Sequence, residues 1–297
     1  MDKAAEPPRR FWRIASAGVL FQGGAAAVDT STIIAALVHG LTGSLFAVGA
    51  AAAIARTGWL VPQVIVGYLA QRRRRRLGFY VVGALGRVAA LAGVGVFLAG
   101  VGDRRGPAAT AAFFALWTAY AFVSGIVAVP YNDIVARSIP SERRSRMLAI
   151  RFFGGGVLAL AVAGLAARLI GSLAFPLGHS AVVAIATLLL LGSALCFVSA
   201  GEPDAVLPAG PDRGFGAYLH AGIEAFGSDR RLRLTITQRC AAARKCLMRS
   251  AGTRGELPPP AELLPLSRTA ASRWCVATRS QRIMAWLSRW SGMPSWA

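Results

Sequence analysis

The sequence predicts an all-α polytopic membrane protein, a bundle of six transmembrane helices followed by a basic C-terminal tail outside the membrane. Three observations predict it. Hydrophobic residues make up 55% of the 297 and charged residues only 15%. The apolar residues gather into runs of about 20 or more, the length a helix needs to cross about 30 Å of hydrocarbon. The formal net charge of +20 falls mostly between and beyond these runs, where a membrane protein keeps its arginines.

Residues 1–13 form a short polar N-terminus with Lys3, Arg9, Arg10 and Arg13. The first expected span covers 14–38. Its basic flank and Ala25, Ala26 and Ala27 also fit a secretory signal, but apolar sequence resumes at Ile33 and five more runs follow, which favours an anchor. Those runs place the other spans at 45–70, 77–101, 108–129, 147–173 and 181–200. A linker with Pro203, Pro208 and Pro211 occupies 201–232, and an arginine-rich tail occupies 233–297.

If the spans alternate in direction, the connections divide into two sets. One holds fourteen Lys and Arg: four in the N-terminus, Arg72 to Arg76, and Arg137, Arg143, Arg144, Arg146 and Arg151. The other holds three, Arg104, Arg105 and Arg168. The positive-inside rule then puts the N-terminus and the tail in the cytoplasm, with the chain in the cell (inner) membrane and lipid as its solvent. The five consecutive arginines are read the same way. A nucleic-acid role would need a solvated domain with interleaved aromatics, whereas this run is clamped between two spans.

Three charges fall near mid-span, each costing about 2.5–3.5 kcal/mol at a helix centre unless paired or hydrated. Asp29 precedes Val38 by nine residues and Arg56 follows Leu45 by eleven, depths of about 14 and 17 Å at helical rise. Arg87 follows Leu77 by ten residues, about 15 Å. Asp29, Arg56 and Arg87 are therefore candidates for a substrate or ion-coupling site, proton coupling included. The competing reading is a structural ion pair between Asp29 and Arg56. Gln22 and Thr30 flank Asp29 with hydrogen-bonding groups, although hydroxyls also fold back onto their own helix.

Gly67-Tyr68-Leu69-Ala70-Gln71-Arg72, between the second and third spans, resembles the signature of the major facilitator superfamily of secondary transporters. Its family aspartate is Gln71 here. Pro130, Asp133, Arg137, Pro140, Arg143 and Arg144 resemble the companion segment after the fourth span. The resemblance covers roughly residues 10–232 and implies half of a twelve-span fold, with alternating access for an unknown small molecule. It also implies a cytoplasmic gate in which Asp133 pairs with arginines after Gly67. Gly67, Gln71, Arg72, Arg73, Arg76, Asp133, Arg137 and Arg143 are its candidates.

Enzyme and cofactor signatures are missing: there is no phosphate-binding loop with lysine and no Gly-x-Ser-x-Gly. His39, His179 and His220 are scattered, and Cys196, Cys240, Cys246 and Cys275 lack metal or disulfide spacing. A seventh span is expected near Leu232. Instead, twelve Lys and Arg stand against two Glu from Arg231 onward, with no apolar run long enough to cross a bilayer. That shift of composition predicts a lost reading frame and a missing second half. The alternative is a genuine six-span protein that works as a homodimer or with a separate second half, its tail carrying a short interfacial helix around Ile283, Trp286, Leu287 and Trp290.

Overall fold

A computed structural model describes residues 8–102, 106–203 and 214–228. Those residues are helical, with no strand among them. The elements are α1 (Pro8–Ala27), α2 (Ile33–Thr42), α3 (Leu45–Gln71), α4 (Leu77–Val101), α5 (Pro107–Ser138), α6 (Ser141–Ser172), α7 (Leu177–Ala200) and α8 (Phe215–Ser228). The chain divides into two units at Gly210, α8 belonging to the second. The arginine-rich tail, 233–297, lies outside the described residues, as do Arg104 and Arg105.

Five helices, α3 to α7, are long and apolar enough to cross a membrane. The chain is an all-α, multi-pass membrane bundle. The first expected span is not one helix. It breaks after Ala27 and resumes at Ile33, and α1 carries Arg9, Arg10 and Arg13 on its leading turns. Two other boundaries move as well. Helix α5 runs on to Ser138 and α6 begins at Ser141, because a helix crossing the polar interface has no reason to stop where its apolar run stops. Arg143, Arg144 and Arg146 therefore ride the first turns of α6, and Arg151 lies well inside it.

Helix α1 packs on α6 and α7, α4 on α5 and α7, and α3 on α5. Close approach is achieved with small residues, as expected where lipid supplies no hydrophobic drive between helices. A Cβ at Gly125 would stand 2.5 Å from the Trp59 carbonyl oxygen, which fixes the α3–α5 crossing beside Pro62. Hydrogen bonds tie the helices further. Trp117 Nε1 donates to the Ala51 carbonyl at 3.0 Å, Ser180 Oγ to Gly95 at 2.8 Å and Ser193 Oγ to Ala17 at 2.7 Å.

The buried apolar residues form two clusters. One includes Ile34, Leu37, Leu91, Phe113, Trp117, Val183 and Leu190. The other includes Phe11, Ile14, Tyr80, Ala84, Ile134, Met147 and Phe197. Helix α4 passes from Ala84 in one to Leu91 in the other, and α7 from Leu190 to Ala194. Arg87 and Ser193 occupy the junctions, so polar groups collect in a layer between two dry regions.

In the second unit, α8 exposes Phe215, Leu219 and Ile223 along one face, the amphipathic pattern of a helix with an apolar stripe.

Candidate functional site

The break between α1 and α2 is built by Asp29 itself. Its Oδ1 accepts from the Ser31 backbone N–H at 2.9 Å and from the hydroxyls of Ser31 and Thr32 at 2.5 and 3.0 Å. Its carbonyl accepts from the Ile34 N–H at 3.0 Å. Short polar side chains that bond their own backbone compete with the helix, and four of them stand together at Asp29, Thr30, Ser31 and Thr32. Among the described residues, Asp29 forms no ion pair with Arg56, which lies exposed on α3. In place of the competing Asp29–Arg56 pair, the Asp29 side chain closes a turn. Thr30 belongs to that turn. Gln22 packs where α1 meets Gly155 of α6.

Arg87 is buried on α4 and lines a cavity of about 160 Å³ in the layer between the two apolar clusters. Six helices contribute. Ala17 and Phe21 come from α1, Trp59 from α3, and Tyr80 and Arg87 from α4. Ser124, Val127, Ala128, Tyr131 and Asn132 come from α5, Arg151 from α6 and Ser193 from α7. Among the described residues, no aspartate or glutamate lines it.

Arg151 is the residue the sequence reading placed in a cytoplasmic connection. It sits ten residues into α6, about 15 Å along the axis, matching the depth of Arg87 in α4. Its Nη1 donates to the Tyr131 hydroxyl at 3.1 Å. Gly18 gives its stem room, since a Cβ there would lie 2.8 Å from Arg151 Cγ. The two arginines share one ring. The guanidinium carbons of Arg87 and Arg151 stand 5.2 and 5.7 Å from the Phe21 centroid, so they are separated by no more than the total of those distances. Arg151 also faces Tyr131 at 5.3 Å. The Nε atoms of both arginines are buried without a hydrogen-bond partner, and Arg87 is only 3% exposed.

The energies decide what this arrangement needs. A cation over an aromatic face gains about 2 kcal/mol when desolvated, against about 2.5–3.5 kcal/mol for an arginine at a membrane-helix centre. Phe21 offsets part of the cost for each arginine. With two like charges in one cavity and no carboxylate on its walls, the remainder falls to water or to an anion.

A second polar layer lies at the end of the bundle where α3 meets α4 and α5 meets α6. Asp133 on α5 forms ion pairs with Arg76 and Arg137. Arg137 Nη2 also bonds Glu202 at 2.8 Å, and its Nη1 donates to the Pro203 carbonyl at 3.0 Å. Glu202 accepts the backbone N–H groups of Arg76 and Leu77 at 2.8 to 2.9 Å, an anion at the positive end of α4. Burial by itself would raise the Glu202 carboxyl, but hydrogen bonds from Arg137, Arg76 and Leu77 outweigh it and hold it below the ordinary glutamate range. Of the arginine run, Arg76 reaches this layer. Arg72 and Arg73 are exposed, Arg72 standing 4.4 Å over the Tyr68 ring, and Arg143 is exposed on α6. Gly67 is half-buried in the last turns of α3, which Gln71 closes.

Sequence reasoning missed Arg151, Tyr131 and Phe21 in the cavity and Glu202 in the polar layer. The signal for Arg151 was available in its helical distance from Pro140, a natural helix start. Glu202 carried no local signal. No family model, curated protein or solved structure matches the chain.

Proposed function

We propose that this protein is a facilitator-type transporter that moves a small molecule across the membrane by alternating access, with the Arg87 cavity as its substrate site. One observation carries the reading: six helices converge on a cavity between two dry clusters, and that cavity holds two buried arginines. Buried charges at mid-membrane mark substrate or ion paths, because their cost selects against them elsewhere. The Asp133 layer is the cytoplasmic latch in this reading, with Arg76 rather than Arg72 as its principal cation.

The proposed path has six crossings, α1 and α2 together making the first. Arg10 Nε, near the start of α1, bonds the Ala200 carbonyl at the end of α7 at 3.0 Å, and Arg13 bonds Ser199. The start and end of the bundle thus share one face, which supports an even number of passages. Placing Arg151 within α6 leaves thirteen basic residues against three, which supports a cytoplasmic N-terminus. By the facilitator resemblance a complete path lies between two such bundles. The apolar surface of α3 and α6, with Phe46, Phe153 and Leu160 exposed, suits either lipid or a second bundle, supplied as a second copy or a separate chain.

Two-sided accessibility tests the proposal. In a chain whose four cysteines are replaced by serine, Ser124→Cys in the cavity wall should react with a membrane-impermeant thiol reagent from both faces of oriented vesicles. Reaction from one face only would remove alternating access.

A further inference from the structure

We propose that the Arg87 and Arg151 cavity binds a small organic carboxylate, its charge between the two guanidinium groups and its apolar body against the aromatic walls. This rests on the cavity being the substrate site and names the class of molecule that fits it.

Charge sets the sign. Two cations share the cavity, no acidic residue among the described residues lines it, and each arginine keeps a buried Nε without an acceptor. Nε is one tooth of the guanidinium fork, and a carboxylate meets Nε and an Nη together in two parallel bonds. An anion held there fills the missing acceptors and removes the repulsion between the arginines.

Volume and walls set the body. The cavity holds about 160 Å³, close to the engineered cavity of about 150 Å³ that takes one benzene. A single ring or a short branched chain fits within it. Phe21, Trp59 and Tyr131 present ring surface that rewards an apolar body and gives nothing to a hydrated inorganic ion.

The test is equilibrium binding of radiolabelled benzoate to the purified full chain in lipid nanodiscs, with benzamide, its uncharged counterpart, and inorganic phosphate as competitors. Saturable benzoate binding is expected, with benzamide at least about tenfold weaker, the factor one charge-assisted hydrogen bond is worth. Arg87→Gln and Arg151→Gln should each lower affinity about tenfold or more. Arg168→Gln, an exposed arginine of α6 outside the cavity, should leave it unchanged. If the cavity variants fail to fold, the benzoate and benzamide comparison on the unaltered protein still decides. Equal competition by benzamide, phosphate bound in place of benzoate, or no saturable benzoate binding up to about 10 mM overturns the proposal. Benzoate binding with one-sided labelling of Ser124→Cys keeps the anion site and removes transport. Two-sided labelling without benzoate binding does the reverse.

Discussion

Glu202 and Arg137 bond at 2.8 Å across the end of the bundle, joining the second residue after α7 to the last turn of α5. The same carboxylate receives the first N–H groups of α4. One side chain thus ties three helices, and it does so only while ionised.

That tie has a pH signature. The folded protein holds the Glu202 carboxyl below its ordinary value of about 4.5, so it binds that proton more weakly than the unfolded chain does. The stabilisation is complete above about 4.5 and is lost as pH falls through the lower folded value. Thermal unfolding in detergent should drop in midpoint as pH falls below about 4.5 and on through the lower folded value. Glu202→Gln should start lower, by about 1.5–3 kcal/mol, and show a flatter acid limb. An unchanged limb in that variant would assign the acid sensitivity elsewhere.

The latch predicts coupling between Arg76 and Asp133. Asp133→Asn removes the acid that both Arg76 and Arg137 share and should speed labelling of Ser124→Cys from the cytoplasmic face. Arg76→Gln should do likewise, and the double variant should add little, because both remove the same ion pair. Fully additive rates would mean that the two residues act separately.

Much of the bundle is legible in the sequence because lipid imposes one rule on every span: about 20 apolar residues in helical conformation. The runs beginning at Leu45 and Leu77 start where their helices start. What fails is local competition and long-range assembly. Val28 to Thr32 reads as part of one span by hydropathy, yet the Asp29 turn interrupts it. Arg87 is legible as a buried charge from its depth alone. The depth of Arg151 is legible only when α6 is started after Pro140, and its meeting with Arg87 is not legible at all, since the two meet through Phe21 on a third helix, a relation no periodicity encodes.

Gly18 tests that assembly. A valine there would bring its Cβ to 2.8 Å from Arg151 Cγ. The arginine stem is flexible and swings aside, so the chain should fold at a cost of about 1–3 kcal/mol while Arg151 leaves Phe21 and Tyr131. Normal abundance with weakened benzoate binding is the expected result. Gly49→Val, on α3 with open space around it, is the control. Wild-type binding in Gly18→Val would show that the position of Arg151 is not needed.

The last prediction separates a turn from an ion pair at Asp29. If Asp29 and Arg56 neutralised each other in the membrane, removing either would strand the other at a cost of about 3–5 kcal/mol. The structure instead places the Asp29 carboxylate on Ser31 and Thr32 and leaves Arg56 exposed. Arg56→Gln should therefore be tolerated with no loss relative to the parent, since it removes a mid-span charge unpaired among the described residues and strands none. Asp29→Ala should lose about 1 kcal/mol, the worth of the hydrogen bonds its side chain accepts in the turn, and Asp29→Asn should recover most of it because the amide oxygen accepts the same N–H. Unfolding midpoints and membrane abundance of the three variants decide the matter. A severe loss in Arg56→Gln that Asp29→Asn relieves would restore the ion pair and place the break between α1 and α2 in the substrate path.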